Sequence, residues 1–385
     1  MCKRYFAILL AAAVLWCVLP AAGAAGPEIS APSAVLMDAA TGTVLYESNA
    51  RERLRPASVT KVMTLLLIME ALDSGRIGWE DMVSTSEAAA AKGGSQIYLE
   101  VGEQMPLKEM LKSVVVSSAN DCATALAEHI AGSESAFVDM MNARATELGL
   151  TDTHFVNCTG LDDEANAAEH LTTAYDIAVM SRALLQHKEI RDYTTIWMDT
   201  VRNGQFGLSN TNKLIRFYDG ATGLKTGYTS AAGHCLAASA EREGMELIAV
   251  VLHCASSTDR FRSAEALLDY GFANYALVSA ECPEPLQPVA VELGVQSSLT
   301  PVLQATAPIL ISKGEQTQVR KRVELLETVA APVEAGQVLG TLTIETDSRV
   351  LAEIPIVAPA AVEKVSWWEM TVRLLRALCM AGDEG

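Results

Sequence analysis

The sequence predicts an α/β (α+β) domain, with a mostly antiparallel sheet flanked by helices, followed by a small all-β domain and a terminal amphipathic helix. Three observations predict it. Strand-like stretches come first, recur after a long run of helical periodicity, and are closed by one more helix, so a single sheet draws on both ends of the first domain. Cys282-Pro283-Glu284-Pro285 then reads as a linker. Beyond it the chain turns to short alternating stretches punctuated by Gly314, Pro332, Gly336 and Gly340. The 385 residues, half of them apolar, suffice for more than one buried core.

Lys3 and Arg4 precede an apolar run from Tyr5 to Leu19, Pro20 breaks it, and Ala22-Gly23-Ala24 offers a small-residue cleavage site. This is the layout of a signal peptide over residues 1–24, with the mature chain starting near Ala25. The run is shorter than the roughly 20 residues a bilayer-spanning helix needs. Trp16 beside Cys17 argues against lipoprotein processing.

The first domain is expected over residues 25–280. Ser33 to Glu47 reads as two strands joined at Thr41-Gly42. A helix begins near Ser58, carries Val62, Leu65, Leu66 and Met69 at helical spacing, and stops at Gly75. Leu107 to Val116 and Ala123 to Ala131 are further helices, separated by the break at residues 117–121, and His170 to His187 is another. GLKTGYT, AGHCLAASAE and MELIAVVLHC are strands, the last two forming a hairpin about Gly244-Met245, and Asp259 to Tyr275 closes the domain as a helix. The β domain is expected over 286–361. In segment 362–380, Val365, Trp368, Val372, Leu375 and Cys379 recur three and four apart while Arg373 and Arg376 take the polar side. Such a helix can lie in a membrane interface, or pack on its own β domain.

Charge narrows the partners. With 29 basic against 47 acidic residues the net charge is −18, which repels phosphate backbones and argues against nucleic acid. The cysteines form no CxxC pair, there is no HExxH, and the histidines are scattered, so no metal site is expected. A hairpin about Gly244-Met245 would set Cys235 opposite Cys254, where a disulfide is geometrically possible.

Three short motifs carry the chemistry. Ser58 and Lys61 stand three apart on a helix and share a face, so the amine can reach the hydroxyl. Serine is a poor nucleophile until a neighbour takes its proton, and a lysine does so once burial or another cation exposes its neutral form. The ordinary alternative is Ser58 as a helix cap. Ser118 and Asn120 lie in the helical break, where a hydroxyl and an amide can relay a proton and hold a carbonyl; a plain cap would also explain them. Lys225-Thr226-Gly227 opens a strand. Lys225 can attract a carboxylate, Thr226 can donate to it, and Gly227 leaves room for a ligand along the strand edge. A strand end with a snorkelling lysine is the alternative there.

Taken in order, Ser-x-x-Lys, Ser-x-Asn and Lys-Thr-Gly are the motifs of the penicillin-recognising serine enzymes. From Ser33 to Tyr275 the chain resembles the low-molecular-mass D-alanyl-D-alanine carboxypeptidases, through strings such as RPASVTKVMT, SSANDCATALAEHIAGS and GLKTGYTSAAGHCLAASAEREGMELIAVVL. The resemblance implies a β-lactamase/transpeptidase-like catalytic domain. It also implies that Ser58 attacks the bond between the two terminal D-alanines of a peptidoglycan stem peptide while Lys61 takes its proton. Ser118 would pass a proton to the leaving D-alanine, and Asn120 would orient Lys61 and the substrate. Lys225 and Thr226 would bind the terminal carboxylate, and the amides of Ser58 and Tyr228 would form the oxyanion hole. β-Lactams would inhibit by acylating Ser58, and the terminal helix would hold the exported enzyme on the outer face of the cytoplasmic membrane.

The chain departs from the family near Asn157, where a proline and a polar residue often precede Gly160-Leu161 and Cys158-Thr159 stand here. Asp162, Asp163 and Glu164 follow, and a carboxylate there could activate water. His170 matches a recurrent family histidine with a structural reading. The rivals are a β-lactamase, which deacylates fast but whose class A Glu-x-x-x-Asn arrangement is absent between Asn157 and His170, and a catalytically silent wall-binding protein on the same fold.

Overall fold

The computed structural model describes residues 26–163, 166–304 and 307–380. The leader expected over 1–24 and the carboxylate of Glu164 lie outside the described residues.

Strands β1 (Ser33–Asp38), β2 (Val44–Ser48), β3 (Ala221–Thr229), β4 (Gly233–Arg242) and β5 (Met245–Cys254) form one sheet in the order β2-β1-β5-β4-β3. The sheet uses both ends of the first domain, as the sequence predicts. Pairings of β1 with β2 and of β3 with β4 are antiparallel. Every residue of β1 is buried and only His253 of β5 is exposed, so these central strands are covered on both faces and read as continuous apolar runs.

Six longer helices accompany the sheet: α1 (Lys61–Asp73), α2 (Leu107–Val116), α3 (Asn120–Ala131), α4 (Glu134–Glu147), α5 (Ala174–Leu185) and α6 (Ser257–Asn274). Ten of the thirteen residues of α1 are buried, so it is an interior helix rather than a surface one. That placement takes Lys61, in its first turn, out of water.

Several expectations need correcting. Helix α5 starts at Ala174, not His170: Thr173 takes the N-cap and its Oγ1 accepts from Asp176 N at 3.0 Å, and His170 instead ends a 3-10 turn, Ala167–Glu169, before it. Helix α3 already begins at Asn120, so the break is shorter than expected. Helix α4 has a narrow buried stripe of Phe137, Met141 and Ala145 among polar residues, too sparse to stand out as a period. The hairpin between β4 and β5 turns on Glu243 and Gly244, with φ of 52° and 76°. That is one residue earlier than expected, which slides the facing pairs by two. Cys254 therefore lies beside Gly233, whose missing Cβ would stand 3.1 Å from the Cys254 carbonyl oxygen, and Cys235 and Cys254 are free thiols.

The described residues of 38–43, 241–247 and 271–380 form a second compact unit. In it β6 (Tyr275–Val278) pairs with β8 (Ile309–Ser312), while β7 (Val289–Glu292) lies between Ser298–Leu299 and Thr328–Ala330. Strands β9 (Arg320–Leu325), β10 (Val338–Glu345) and β11 (Val350–Val357) form a sheet with Val302–Leu303 at its far edge. Leu342, Ile344 and Ile356 centre one core, and Val289, Val333 and Leu339 another. Helix α7 (Trp367–Met380) follows them.

Candidate active site

Ser58 sits on a single 3-10 turn, Ala57–Thr60, immediately before α1. It caps neither element. Its Oγ instead accepts from Lys61 Nζ at 3.0 Å. Lys61 is fully buried, and its amine has two further partners, Asn120 Oδ1 at 2.5 Å and the Thr159 carbonyl at 3.0 Å. Burial lowers its pKa to about 7, against smaller opposing effects from Cys158 and Asp121. Near neutral pH much of this lysine is therefore a free base beside a serine hydroxyl, which is the condition for an activated nucleophile.

The second motif closes over the same amine. Asn120 spends its Nδ2 on the Gly93 carbonyl at 2.7 Å, and its backbone N–H donates to Ser95 at 2.7 Å, so its oxygen is left pointing at Lys61. Next to it the buried Asp121 carboxylate accepts from Ile97 N and Leu99 N, fixing the same loop. Arg202 braces that loop from outside through the carbonyls of Ile97 and Tyr98. Ser118 has a positive φ of 64°, and its buried Oγ has no hydrogen-bond partner among the described residues. A hydroxyl held ready without a partner suits a group that meets its partner only when substrate arrives.

The third motif lies on β3. Lys225 is buried, and its amine donates to the Thr226 carbonyl at 3.0 Å. Burial first, then the charges of Lys61 and Arg260, hold its pKa well below the usual lysine range. Among the described residues no carboxylate pairs with it, so the strand holds a buried amine without a counter-charge. Thr226 Oγ1 donates to Thr211 Oγ1 at 2.7 Å. A Cβ at Gly227 would stand 2.7 Å from the Pro56 carbonyl oxygen and 3.0 Å from Ser58 N. Glycine lets the strand press against the turn that carries Ser58. Tyr228 is 58% exposed and stacks on His234 with ring centres 4.4 Å apart.

The fold thus brings Ser58, Lys61 and Asn120 into one hydrogen-bonded cluster and abuts Gly227 on it. Family comparison agrees with the geometry. Residues 21–256 match the family described as D-alanyl-D-alanine carboxypeptidase, and residues 284–364 match the penicillin-binding protein 5 C-terminal domain. The D-alanyl-D-alanine carboxypeptidase DacF of Bacillus subtilis is 42% identical over 95% of this chain and 96% of its own. A crystal structure of penicillin binding protein 5 from Haemophilus influenzae superposes with a TM-score of 0.73 at 31% identity, covering 89% of this chain and all of that one. Penicillin-binding protein D2 from Listeria monocytogenes, solved in an ampicillin-bound form, gives 0.58 at 30% identity, over 63% of this chain and 98% of that one. The chain belongs to the D-alanyl-D-alanine carboxypeptidase family. Its fold is that of the low-molecular-mass penicillin-binding proteins, and it is a serine-type carboxypeptidase.

Thr64 and Arg260 were not singled out by sequence, and the contacts of the Asn157–Asp162 stretch, noted there as a departure from the family, were not readable from it. The strap from Asn157 to Leu161 is tied by its own side chain: Asn157 Oδ1 accepts from Gly160 N at 2.7 Å and from Thr159 N at 3.2 Å. Thr64 Oγ1 donates to the Cys158 carbonyl at 2.6 Å. Gly160, at φ 81°, lies so close to the turn that carries Ser58 that a Cβ would come within 1.9 Å of the Ala57 carbonyl oxygen. Arg260 on α6 is buried behind the third motif, donating to the carbonyls of Gly227 at 3.0 Å and Cys235 at 3.4 Å. A signal for it existed: Arg260 falls on the same helical stripe as the buried Ala264, Leu267 and Leu268. Asp162 takes a hydrogen bond from Thr229 Oγ1 and lies 3.9 Å from Arg55. Among the described residues no three His, Cys, Asp or Glu side chains gather as a metal site.

Proposed function

We propose that this carboxypeptidase removes the terminal D-alanine of peptidoglycan stem pentapeptides through an acyl-enzyme on Ser58. The observation that carries the reading is the 3.0 Å contact between a buried lysine of lowered pKa and the serine oxygen. Lys61 takes the Ser58 proton as Oγ bonds to the penultimate D-alanine carbonyl carbon. The peptide C–N bond breaks, and the proton held by Lys61 passes through Ser118 to the leaving amine. The Ser58 and Tyr228 amides stabilise the oxyanion, while Lys225 and Thr226 hold the terminal carboxylate, supplying the counter-charge that Lys225 lacks. Water then releases the acyl group. β-Lactams enter the same cycle and stall as covalent adducts.

Mass spectrometry of the intact protein after penicillin treatment, with peptide mapping, should place one adduct on Ser58. Ser58→Ala should abolish both that adduct and D-alanine release from a pentapeptide. Labelling that survived the substitution would assign the nucleophile elsewhere. A chromogenic cephalosporin separates the β-lactamase reading, because rapid turnover would replace a slow stoichiometric adduct.

We further propose that residues 1–24 direct export, that 25–280 form the catalytic domain and 286–361 a β domain, and that 362–380 bind the outer face of the cytoplasmic membrane. Orientation favours membrane over self-packing. Arg373 turns inward to donate to the carbonyls of Gly294 and Val295, while Trp367 and Trp368 are 80% and 70% exposed beside exposed Leu374 and Leu375. Among the described residues no helix is long and apolar enough to cross a bilayer. Truncation before Ser366 should release the protein from vesicles of anionic phospholipid; a truncated protein that still sediments with them would refute the anchor.

A further inference from the structure

His170 touches no reacting atom, yet both of its ring nitrogens are engaged with the segments that aim Lys61. Val156 N donates to Nδ1 over 3.2 Å. Nδ1 is therefore the unprotonated nitrogen, and Nε2 carries the hydrogen that it donates to Thr60 Oγ1 over 2.8 Å. The ring is buried, and that burial, followed by the charges of His154 and Arg55, lowers its pKa to about 4. It works as a neutral two-ended clamp.

The two ends matter because of what they hold. Thr60 is the neighbour of Lys61 at the start of α1, and Val156 leads into the strap whose Thr159 carbonyl accepts from Lys61 Nζ. Strap and turn also meet where Gly160 approaches Ala57 and the Thr60 hydroxyl, and through the bonds from Lys61 and Thr64. A neutral amine has two hydrogens and one lone pair. Asn120 Oδ1 and the Thr159 carbonyl accept the two hydrogens, which leaves the lone pair facing Ser58. If the Thr159 carbonyl drifts away, the amine can turn a hydrogen towards Ser58 and the lone pair elsewhere, and the base stops taking the proton.

We propose that His170 is a positioning residue for the base: by gripping Val156 with one nitrogen and Thr60 with the other, it keeps the Thr159 carbonyl on Lys61 and so fixes the direction of the lone pair. This rests on the reading of Ser58 and Lys61 as nucleophile and base.

The test compares the wild type with Thr60→Val, His170→Ala and the double variant, with rates per active site counted by penicillin titration. Thr60→Val keeps the shape of the side chain and removes only the hydroxyl. Both single variants should lower kcat and the penicillin acylation rate by about tenfold to a hundredfold, the effect of a small misplacement of a reacting group. KM for the pentapeptide should stay within about twofold, because the carboxylate pocket is untouched. The double variant should be no slower than the slower single one, since both substitutions open the same clamp. A histidine that only stabilised the fold would lower the melting temperature and the active fraction, leaving the rate per site unchanged. A folded Thr60→Val with wild-type acylation, or losses that multiply in the double variant, would overturn the positioning role alone. Failure of the wild type to form an adduct on Ser58 would overturn the underlying reading as well.

Discussion

Lys61 Nζ lies 3.0 Å from Ser58 Oγ, and the same amine meets an oxygen of Asn120 and one of Thr159. With a pKa of about 7, this base should control the acidic limb of the rate. Acylation by penicillin should climb roughly tenfold per pH unit below that value and level off above it. Lys61→Arg places a group that never yields a lone pair and should slow acylation by about 10²–10⁴. A pH profile without an inflection near 7 would count against the assignment.

The same lysine should weaken the fold. Its folded pKa of about 7 lies below the usual lysine value, so between the two the unfolded chain holds a proton that the folded one has released. Stability should therefore rise with pH across that interval and be poorest below it. Lys61→Met should be inactive yet more stable than the wild type by roughly 1–4 kcal/mol near pH 7, with a gap that narrows as pH approaches 10. Paired urea melts at two pH values read this directly. A variant less stable than the wild type at both would refute it.

Ser118 should display the same conflict on a smaller scale. Its buried hydroxyl has no partner among the described residues, an arrangement that costs about 1–3 kcal/mol. Ser118→Ala should melt higher and turn over about 10²–10⁴ more slowly. Full activity in that variant would remove Ser118 from the proton path.

Lys225 should act through the substrate's charge. Lys225→Met should raise KM for a free pentapeptide by roughly tenfold to a hundredfold, the worth of a charge-assisted hydrogen bond. Against a peptide whose terminal carboxylate is amidated, wild type and variant should behave alike. A penalty that persisted with the amide would mean that Lys225 serves the fold rather than the ligand.

What the sequence made legible were contacts made by side chains at fixed spacing. Ser58 and Lys61 are three residues apart, and a helix start makes them neighbours; Lys225 and Gly227 mark the strand beside them. The paired strands at either end of the first domain were visible in their alternation and apolar runs. What stayed hidden runs through the backbone. The carbonyls of Gly93, Ser95, Thr159 and Gly227 position Asn120, Lys61 and Arg260, and a carbonyl looks alike on every residue. His170 was readable as a residue but not as a clamp, because Thr60 and Val156 reach it from distant stretches of chain. The hairpin was found but mis-registered by its turn, since Glu243 adopts a positive φ that its side chain does not advertise.

The carbonyl of Thr159 carries one more implication, for which substitutions the strap can absorb. Because the peptide oxygen holds the amine, Thr159 and Cys158 bear on Lys61 through the backbone they pack: both side chains are buried, Cys158 Sγ donates to Glu134, and Thr159 Oγ1 accepts from Leu161 N. A replacement at either that fills the same space and leaves the peptide where it lies should keep the amine aimed, whereas Gly160, one step along, admits no side chain at all.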